Sequence, residues 1–170
     1  NFFRGKDSKG NWRKPFNPLI ATSPLNNPGD YTEANAWQYF WTPAQYDVKG
    51  MTELLGGKKQ FTDHLDSFFR IKSINPNKHL GQEAMIGQYA HGNEPSHHIA
   101  WLYAFSATPE KGDQLITRIC KDFYNNTPDG MIGNDDCGQM SAWYIFATMG
   151  IYPVNPSNGI FIRSIPQCNK

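Results

Sequence analysis

The sequence lacks long apolar runs and an excess of charge of either sign. Within its 170 residues, no apolar run approaches the roughly 20 residues that span a bilayer. The 16 basic and 15 acidic side chains are interspersed and leave a formal net charge of +1. This balance creates no long-range field for nucleic acid or an anionic membrane surface. We therefore expect neither a nucleic-acid partner nor a membrane span.

Cysteine is also scarce, and the spacing of the three cysteines is not that of a zinc or redox motif. Cys120, Cys137 and Cys168 are odd in number, and no two have the CxxC spacing of zinc or redox sites. A disulfide framework is excluded.

Low-complexity tracts and fixed-period repeats are absent, and residues 1–6 have no signal-peptide apolar stretch. The compartment is therefore not evident from the residues alone.

The first thirty residues are rich in proline, with Asn, Ser and Gly between. Proline blocks regular helix and sheet pairing, so this part is predicted to be irregular. Interleaved large apolar residues such as Trp12 and Phe16 favour a loop packed onto the protein over a free tether. We therefore predict an extended, packed loop over 1–30 and a single helical domain over 31–170.

Four later segments carry apolar residues at the spacing of one helix face. They are Phe61, Leu65, Phe68 and Phe69; Ile99, Leu102, Tyr103 and Phe105; Leu115, Ile116, Ile119, Cys120 and Phe123; and Met140, Trp143, Tyr144 and Ala147. Pro95 and Ser96 predict the start of the second helix, and Gly150 predicts the end of the fourth. Only 159–163 reads as a strand. The pattern predicts an all-α array of antiparallel helical hairpins with a short β segment near the C-terminus.

Residues 32–41 place a carboxylate, two amides and four large rings at a predicted helix start. Sugar sites use this mixture, because rings cover C–H faces while amides and carboxylates bind hydroxyls. The alternative is structural: Thr32 would cap the helix, and Glu33 would be an acid favoured by the helix dipole.

Residues 89–98 form a second polar segment before a predicted helix. Asn93 and Glu94 are hard oxygen donors on a Gly-Pro loop, an environment that suits calcium. His97 and His98 would point about 100° apart on a helix, so they do not form the i, i+4 pair that clamps zinc. The alternative is a helix cap with exposed histidines.

Residues 129–143 form a third such segment. Asp135 and Asp136 are adjacent and repel each other, so a cation or a catalytic purpose explains the pair better than packing does. A solvated loop before a capped helix is the alternative. All three segments place polar oxygens on a loop followed by a helix. Helical toroids gather such loops at one end, where two carboxylates can flank a glycosidic bond.

Four blocks together resemble glycoside hydrolase family 92, the bacterial α-mannosidases. Residues 92–98 read GNEPSHH, and residues 133–144 read GNDDCGQMSAWY. The other two are 152–156 (YPVNP) and 32–39 (TEANAWQY), where Ala34 replaces the glycine common in the family. The resemblance runs from about Phe3 to the end of the chain.

The resemblance implies the later half of an (α/α)6 barrel over 31–170, with the family's N-terminal β-sandwich and first barrel helices outside this chain. It implies removal of terminal α-linked mannose, mainly α-1,2-linked, from mannosides or N-glycans, with inversion and with calcium. A periplasmic, secreted or bacterial cell-surface location is implied as well. The alternatives are a calcium-dependent carbohydrate-binding module and a catalytically inactive helical fragment.

By the same resemblance, Glu33 is expected to be the general acid, with Glu94 as the second choice. Asp135 and Asp136 are expected to activate the water. The expected metal ligands are Asn93, Glu94 and Asp136. The expected sugar contacts are Trp37, Gln38, Glu94, His97 and His98.

Overall fold

The computed structural model describes residues 2–21, 31, 34–72, 74 and 85–168. Its α-helices are α1 (Ala36–Phe40), α2 (Val48–Leu54), α3 (Lys58–Arg70), α4 (Glu110–Phe123) and α5 (Gln139–Met149). Its strands are β1 (Met85–Ile86), β2 (Tyr89–Ala90), β3 (Ile151–Tyr152) and β4 (Ile162–Arg163). Strand β1 pairs antiparallel with β2, and β3 with β4. The regular structure is mainly helical, as predicted.

Three of the four predicted helical stripes form α-helices and face one core. The buried members of these stripes are Phe61, Leu65 and Phe68 on α3, Ile116, Ile119 and Cys120 on α4, and Met140, Trp143 and Ala147 on α5. Tyr144 is instead exposed. Gly150 ends α5 in the left-handed conformation with φ of 70°, the C-terminal stop that the sequence predicts.

The second stripe forms a 3₁₀-helix, Ile99–Phe105, and not an α-helix. Every residue from Ile99 to Tyr103 is buried, and Ala104 near the end of the segment is exposed. Trp101 stacks on Tyr152 of β3 with ring centroids 4.9 Å apart. This all-round burial explains why its apolar pattern fits one helix face poorly.

Each strand has two residues, which is too short for an alternation of polar and apolar residues to indicate it in the sequence. Only β4 falls within the predicted strand region, and the β1–β2 hairpin was missed. Gly87 turns that hairpin with φ of 62° and lies against the backbone of Phe69 at the end of α3. Glycine is required here because a Cβ would meet that backbone.

Helix α1 begins after Asn35, whose side-chain oxygen accepts a hydrogen bond from the Gln38 amide at 3.1 Å. The predicted cap, Thr32, lies outside the described residues. Phe2 packs edge-on against Trp37 and Phe40, so the start of the described chain contacts α1. The predicted loop over 1–30 is described only for residues 2–21, and its boundary remains a prediction.

Across the described ranges, none of the helices has both the length and the apolar character needed to cross a membrane.

Candidate active site

A cavity of about 480 Å³ opens beside the loop after β2, the start of α5 and the segment after β3. Its polar lining comes from Thr42, Gln45, Glu94 and Gln139. Its aromatic lining comes from Tyr39, Trp143, Phe146 and Tyr152. A volume of this size fits a small molecule, and rings beside a few polar groups suit the faces and hydroxyls of a sugar.

The loop that contains Glu94 is held by a tight turn of backbone. Asn93 is extended and buried, and residues Glu94–Ser96 form a 3₁₀ turn with Pro95 in its first positions. The Ser96 amide donates to the Asn93 carbonyl and the His97 amide to the Glu94 carbonyl, each at 3.0 Å. Glu94 is half-buried and lines the cavity, so this turn fixes where its carboxylate can lie.

His97 and His98 are fully buried, so the alternative of exposed histidines is wrong. His97 Nε2 lies 2.9 Å from the His91 carbonyl oxygen, and His98 Nε2 lies 2.9 Å from the Trp41 carbonyl oxygen. Because a carbonyl only accepts, each Nε2 carries the proton. Burial lowers the pKa of both imidazoles to about 4, so both rings are neutral at pH 7.

His97 does not line the cavity itself but contacts a residue that does. Its Nδ1 lies 3.1 Å from Nε2 of Gln139, the first residue of α5. The indole Nε1 of Trp143 donates to the His97 carbonyl at 3.0 Å. His97 therefore joins the loop after β2 to α5 from behind the cavity wall.

His91 extends this connection through the core. The Tyr124 hydroxyl donates to the Met140 carbonyl at 3.1 Å, so the 2.7 Å contact to His91 Nε2 is a bond that His91 donates. The Tyr89 hydroxyl then donates to His91 Nδ1 at 2.7 Å. Burial, with a smaller effect of His97, lowers the pKa of His91 to about 2.

Asp135 and Asp136 lie on the exposed loop before α5, outside the lining of this cavity. Asp135 accepts from the Ser141 hydroxyl at 2.6 Å and the Ser141 amide at 3.0 Å. Both hydrogen bonds lower the pKa of Asp135, and the bond from the Ser141 hydroxyl has the larger effect. Cys137 has a φ of 54°, a left-handed conformation that turns the loop into the helix. Asp135 is thus bonded to the first turn of α5, whose first residue, Gln139, lines the cavity.

Two predicted sugar contacts on α1 lie in the packed interior. Trp37 is partly buried and packs against the rings of Phe2 and Phe68. Gln38 is buried, and its Nε2 donates to the Gln88 carbonyl at 3.1 Å. Neither lines the cavity, whereas Tyr39 does. Glu33 lies outside the described residues, so its placement stays a prediction.

The described residues would supply only part of the oxygen shell that calcium requires. Among them, no three His, Cys, Asp or Glu side chains come together as a metal group. Calcium takes six to eight oxygen ligands, and Asn93 with Glu94 offers two adjacent side-chain donors on one tight turn. The chemistry of these donors fits calcium, and further oxygens would have to complete the shell.

Sequence reasoning did not select Gln139, Thr42 or Gln45. Gln139 lies one helical turn before Trp143, and both line the cavity, so an i, i+4 pair at the start of α5 was the available signal. Thr42 follows α1 in a 3₁₀ turn, and its buried hydroxyl has no hydrogen-bond partner within the described parts of the chain. No pattern in the sequence indicates that this turn borders the cavity.

Comparison with known proteins places the chain in a family. The family model "Glycosyl hydrolase family 92 catalytic domain" matches residues 1–170. A family 92 α-mannosidase of Bacteroides thetaiotaomicron, solved with mannoimidazole, has 45% identity and a TM-score of 0.83. That match covers 97% of this chain and 22% of the α-mannosidase. A structure of the same enzyme described without that compound gives 44% identity and a TM-score of 0.78, covering 97% and 21%.

A curated relative from Arthroderma benhamiae, described as an uncharacterized secreted glycosidase, is 27% identical over 97% of this chain and 20% of its own length. The chain thus spans about a fifth of the length of these relatives. The TM-score of 0.83 confirms the predicted fold, part of a helical barrel. Because the family model covers every residue and a solved member is 45% identical, the chain belongs to the catalytic domain of glycosyl hydrolase family 92.

Proposed function

We propose that the protein containing this chain removes terminal α-linked mannose, mainly α-1,2-linked, from mannosides or N-glycans. The observation that carries this proposal is the cavity itself. Glu94 and Gln139 share it with Trp143 and other rings, in a chain 45% identical to an α-mannosidase. The relative described as secreted supports a secreted or periplasmic location.

For the chemistry, we propose inversion with Glu33 as the acid that protonates the leaving oxygen. Asp135 and Asp136 would form the acidic pair that activates water. The lowered pKa of Asp135 suits a base, because a base must be ionised before reaction. An inverting site separates its carboxyl groups by roughly 6.5–9.5 Å to admit that water. Glu94 remains the second choice for the acid, since it lines the cavity.

We also propose that calcium assists, held in part by Asn93, Glu94 and Asp136. When bound, calcium would hold sugar hydroxyls and favour a flattened ring. The support is the pair of oxygen donors on the tight turn before His97. Treating the full-length protein with EGTA should abolish hydrolysis, and calcium should restore it. Recovery with zinc alone would contradict a calcium site.

The test of the acid uses two substrates that differ in their need for a proton. A dinitrophenolate leaves without one, whereas the sugar alkoxide of mannobiose does not. In the full-length protein, Glu33→Gln should nearly abolish mannobiose cleavage and spare much of the activity on dinitrophenyl α-mannoside. Asp136→Asn should reduce both activities, because every substrate needs the activated water.

Glu53→Gln is the matched control, because Glu53 is a solvent-exposed glutamate on α2. It should leave both activities intact. If Glu94→Gln shows the unequal pattern and Glu33→Gln does not, the acid is Glu94. Proton NMR of the first product should show β-mannose, and α-mannose would refute inversion.

A calcium-dependent carbohydrate-binding module is the second candidate. One observation favours it: within the described residues, Glu94 is the only carboxylate that lines the cavity. Binding needs rings and amides but no acid opposite a base. Mannose binding by the full-length protein without hydrolysis of any α-mannoside would support the module.

A further inference from the structure

Gln139 is held in one orientation at the edge of the cavity. It is the first residue of α5, it is half-buried, and it lines the cavity with Glu94 and Trp143. Its amide Nε2 lies 3.1 Å from His97 Nδ1. A glutamine with a free side chain could present either its N–H groups or its oxygen to a ligand, so the partner behind it decides which.

The tautomer of His97 determines which atoms of the Gln139 amide face a ligand. Since the Nε2 proton of His97 is donated to the His91 carbonyl at 2.9 Å, Nδ1 of the neutral ring has only a lone pair. Gln139 must therefore donate to it, which directs one amide N–H away from any ligand. Oε1 and the second N–H of Gln139 remain for a molecule in the cavity.

The backbone of His97 is fixed as well. Its carbonyl accepts from Trp143 Nε1 at 3.0 Å, and Trp143 lies one turn after Gln139 on α5. The ring of His97 and the amide of Gln139 are thus anchored to the same helix. Movement of one relative to the other would break two hydrogen bonds in a buried region.

We propose that Gln139 binds hydroxyl groups of the sugar, and that His97 is a positioning residue that sets which atoms of the amide the sugar meets. Oε1 accepts a hydrogen bond from one ring hydroxyl, and the second N–H donates to a neighbouring hydroxyl. His97 does not touch the sugar. This inference rests on the proposed function, because it takes the ligand of the cavity to be a terminal α-mannoside.

The experiment compares hydroxyl discrimination in matched variants of the full-length protein. The substrates are 4-nitrophenyl α-mannoside and each of its monodeoxy analogues. The wild type should lose about 3- to 10-fold in kcat/KM for the analogue that lacks the hydroxyl bound by Gln139, as expected for one neutral hydrogen bond. Gln139→Leu, which keeps the bulk of the side chain, should hydrolyse that analogue and the parent mannoside equally well.

His97 is tested by two substitutions that each keep one of its ring functions. His97→Gln can still donate to the His91 carbonyl but offers no acceptor at the position of Nδ1. Like Gln139→Leu, His97→Gln should no longer discriminate between the parent mannoside and that monodeoxy analogue. His97→Asn places an oxygen near the position of Nδ1 and should retain most of the discrimination. A purely structural role would not separate these two variants, so equal behaviour of the pair would overturn the positioning role.

Unchanged discrimination in Gln139→Leu would overturn the assignment of Gln139, and Gln139→Ala serves as a second variant if Leu prevents folding. If the wild type hydrolyses no α-mannoside, the proposed function fails. Calorimetric titration with methyl α-mannoside and its monodeoxy analogues then tests the inference separately. Loss of discrimination in binding by Gln139→Leu would support it, and unchanged discrimination would overturn it.

Discussion

Acid should destabilise this domain, because three buried histidines cannot take up protons while the chain is folded. His91, His97 and His98 are all buried, and burial lowers their pKa from 6.5 to about 2, 4 and 4. In the unfolded chain each ring titrates near 6.5. As the pH falls below 6.5, the unfolded state therefore binds protons that the folded state does not. The free energy of unfolding must decrease through this window, and above it these rings have no effect.

The size of the effect follows from proton linkage. Each ring that is protonated only in the unfolded state changes the free energy of unfolding by about 1.4 kcal/mol per pH unit. Three rings give roughly 4 kcal/mol per pH unit near pH 5. For His97 or His98, the difference between pKa values of 6.5 and about 4 amounts to roughly 3 kcal/mol. The free energy of unfolding of a typical domain is only about 5–15 kcal/mol. We therefore expect the protein to unfold above pH 4 as the pH is lowered.

Urea unfolding followed by tryptophan fluorescence, at intervals from pH 8 to pH 4.5, measures this slope. His98→Gln removes one buried ring and keeps a donor for the Trp41 carbonyl, so the slope should decrease by about one proton. Ile119→Val is the control, because it removes a buried methyl at a cost of about 1 kcal/mol and leaves the slope unchanged. A wild-type stability that stays level from pH 7 to pH 5, or equal slopes for His98→Gln and the wild type, would refute the reasoning.

Three further substitutions, one of them a control, test local packing and hydrogen bonding. Gly87→Ala should cost roughly 2–4 kcal/mol in urea unfolding, because φ is 62° and the added Cβ meets the backbone of Phe69. Gly159→Ala, with φ of 68° and no atom within 4 Å, should cost only about 1 kcal/mol, and equal losses would contradict the steric argument. Tyr124→Phe should cost about 1–3 kcal/mol at pH 7, because it leaves the buried N–H of His91 unpaired, and an unchanged thermal midpoint would count against that bond.

The helices were predictable where one face meets the core, and less so where a segment is buried all round. Helices α3, α4 and α5 follow their apolar stripes. The 3₁₀-helix Ile99–Phe105 is buried on all sides through Tyr103, so its residues carry no period that distinguishes it from an α-helix. The two-residue strands depend on tertiary pairing, for which alternation gives no signal.

For the cavity, local spacing in the sequence does not indicate which side chains of the polar segments face it. Glu94 lines it, whereas Gln38 is turned into the core by its bond to the Gln88 carbonyl. His97 reads as a polar loop residue, yet it lies behind Gln139 because its ring nitrogens bond to the protein. The partners Gln88 and Gln139 lie 50 and 42 residues from Gln38 and His97 along the chain, and local spacing does not reveal such contacts.

The hydrogen bonds behind the cavity have a consequence for the thermodynamics of binding. Trp143 and His97 connect two walls of the cavity, and Tyr124 bonds to both His91 and Met140, without any ligand taking part. The conformational entropy of these walls is therefore lost when the chain folds and not when a sugar arrives. A preorganised wall lets more of the contact energy appear as affinity. It also implies that the backbone of 91–98 and of α5 should shift by no more than about 1 Å between free and sugar-bound protein.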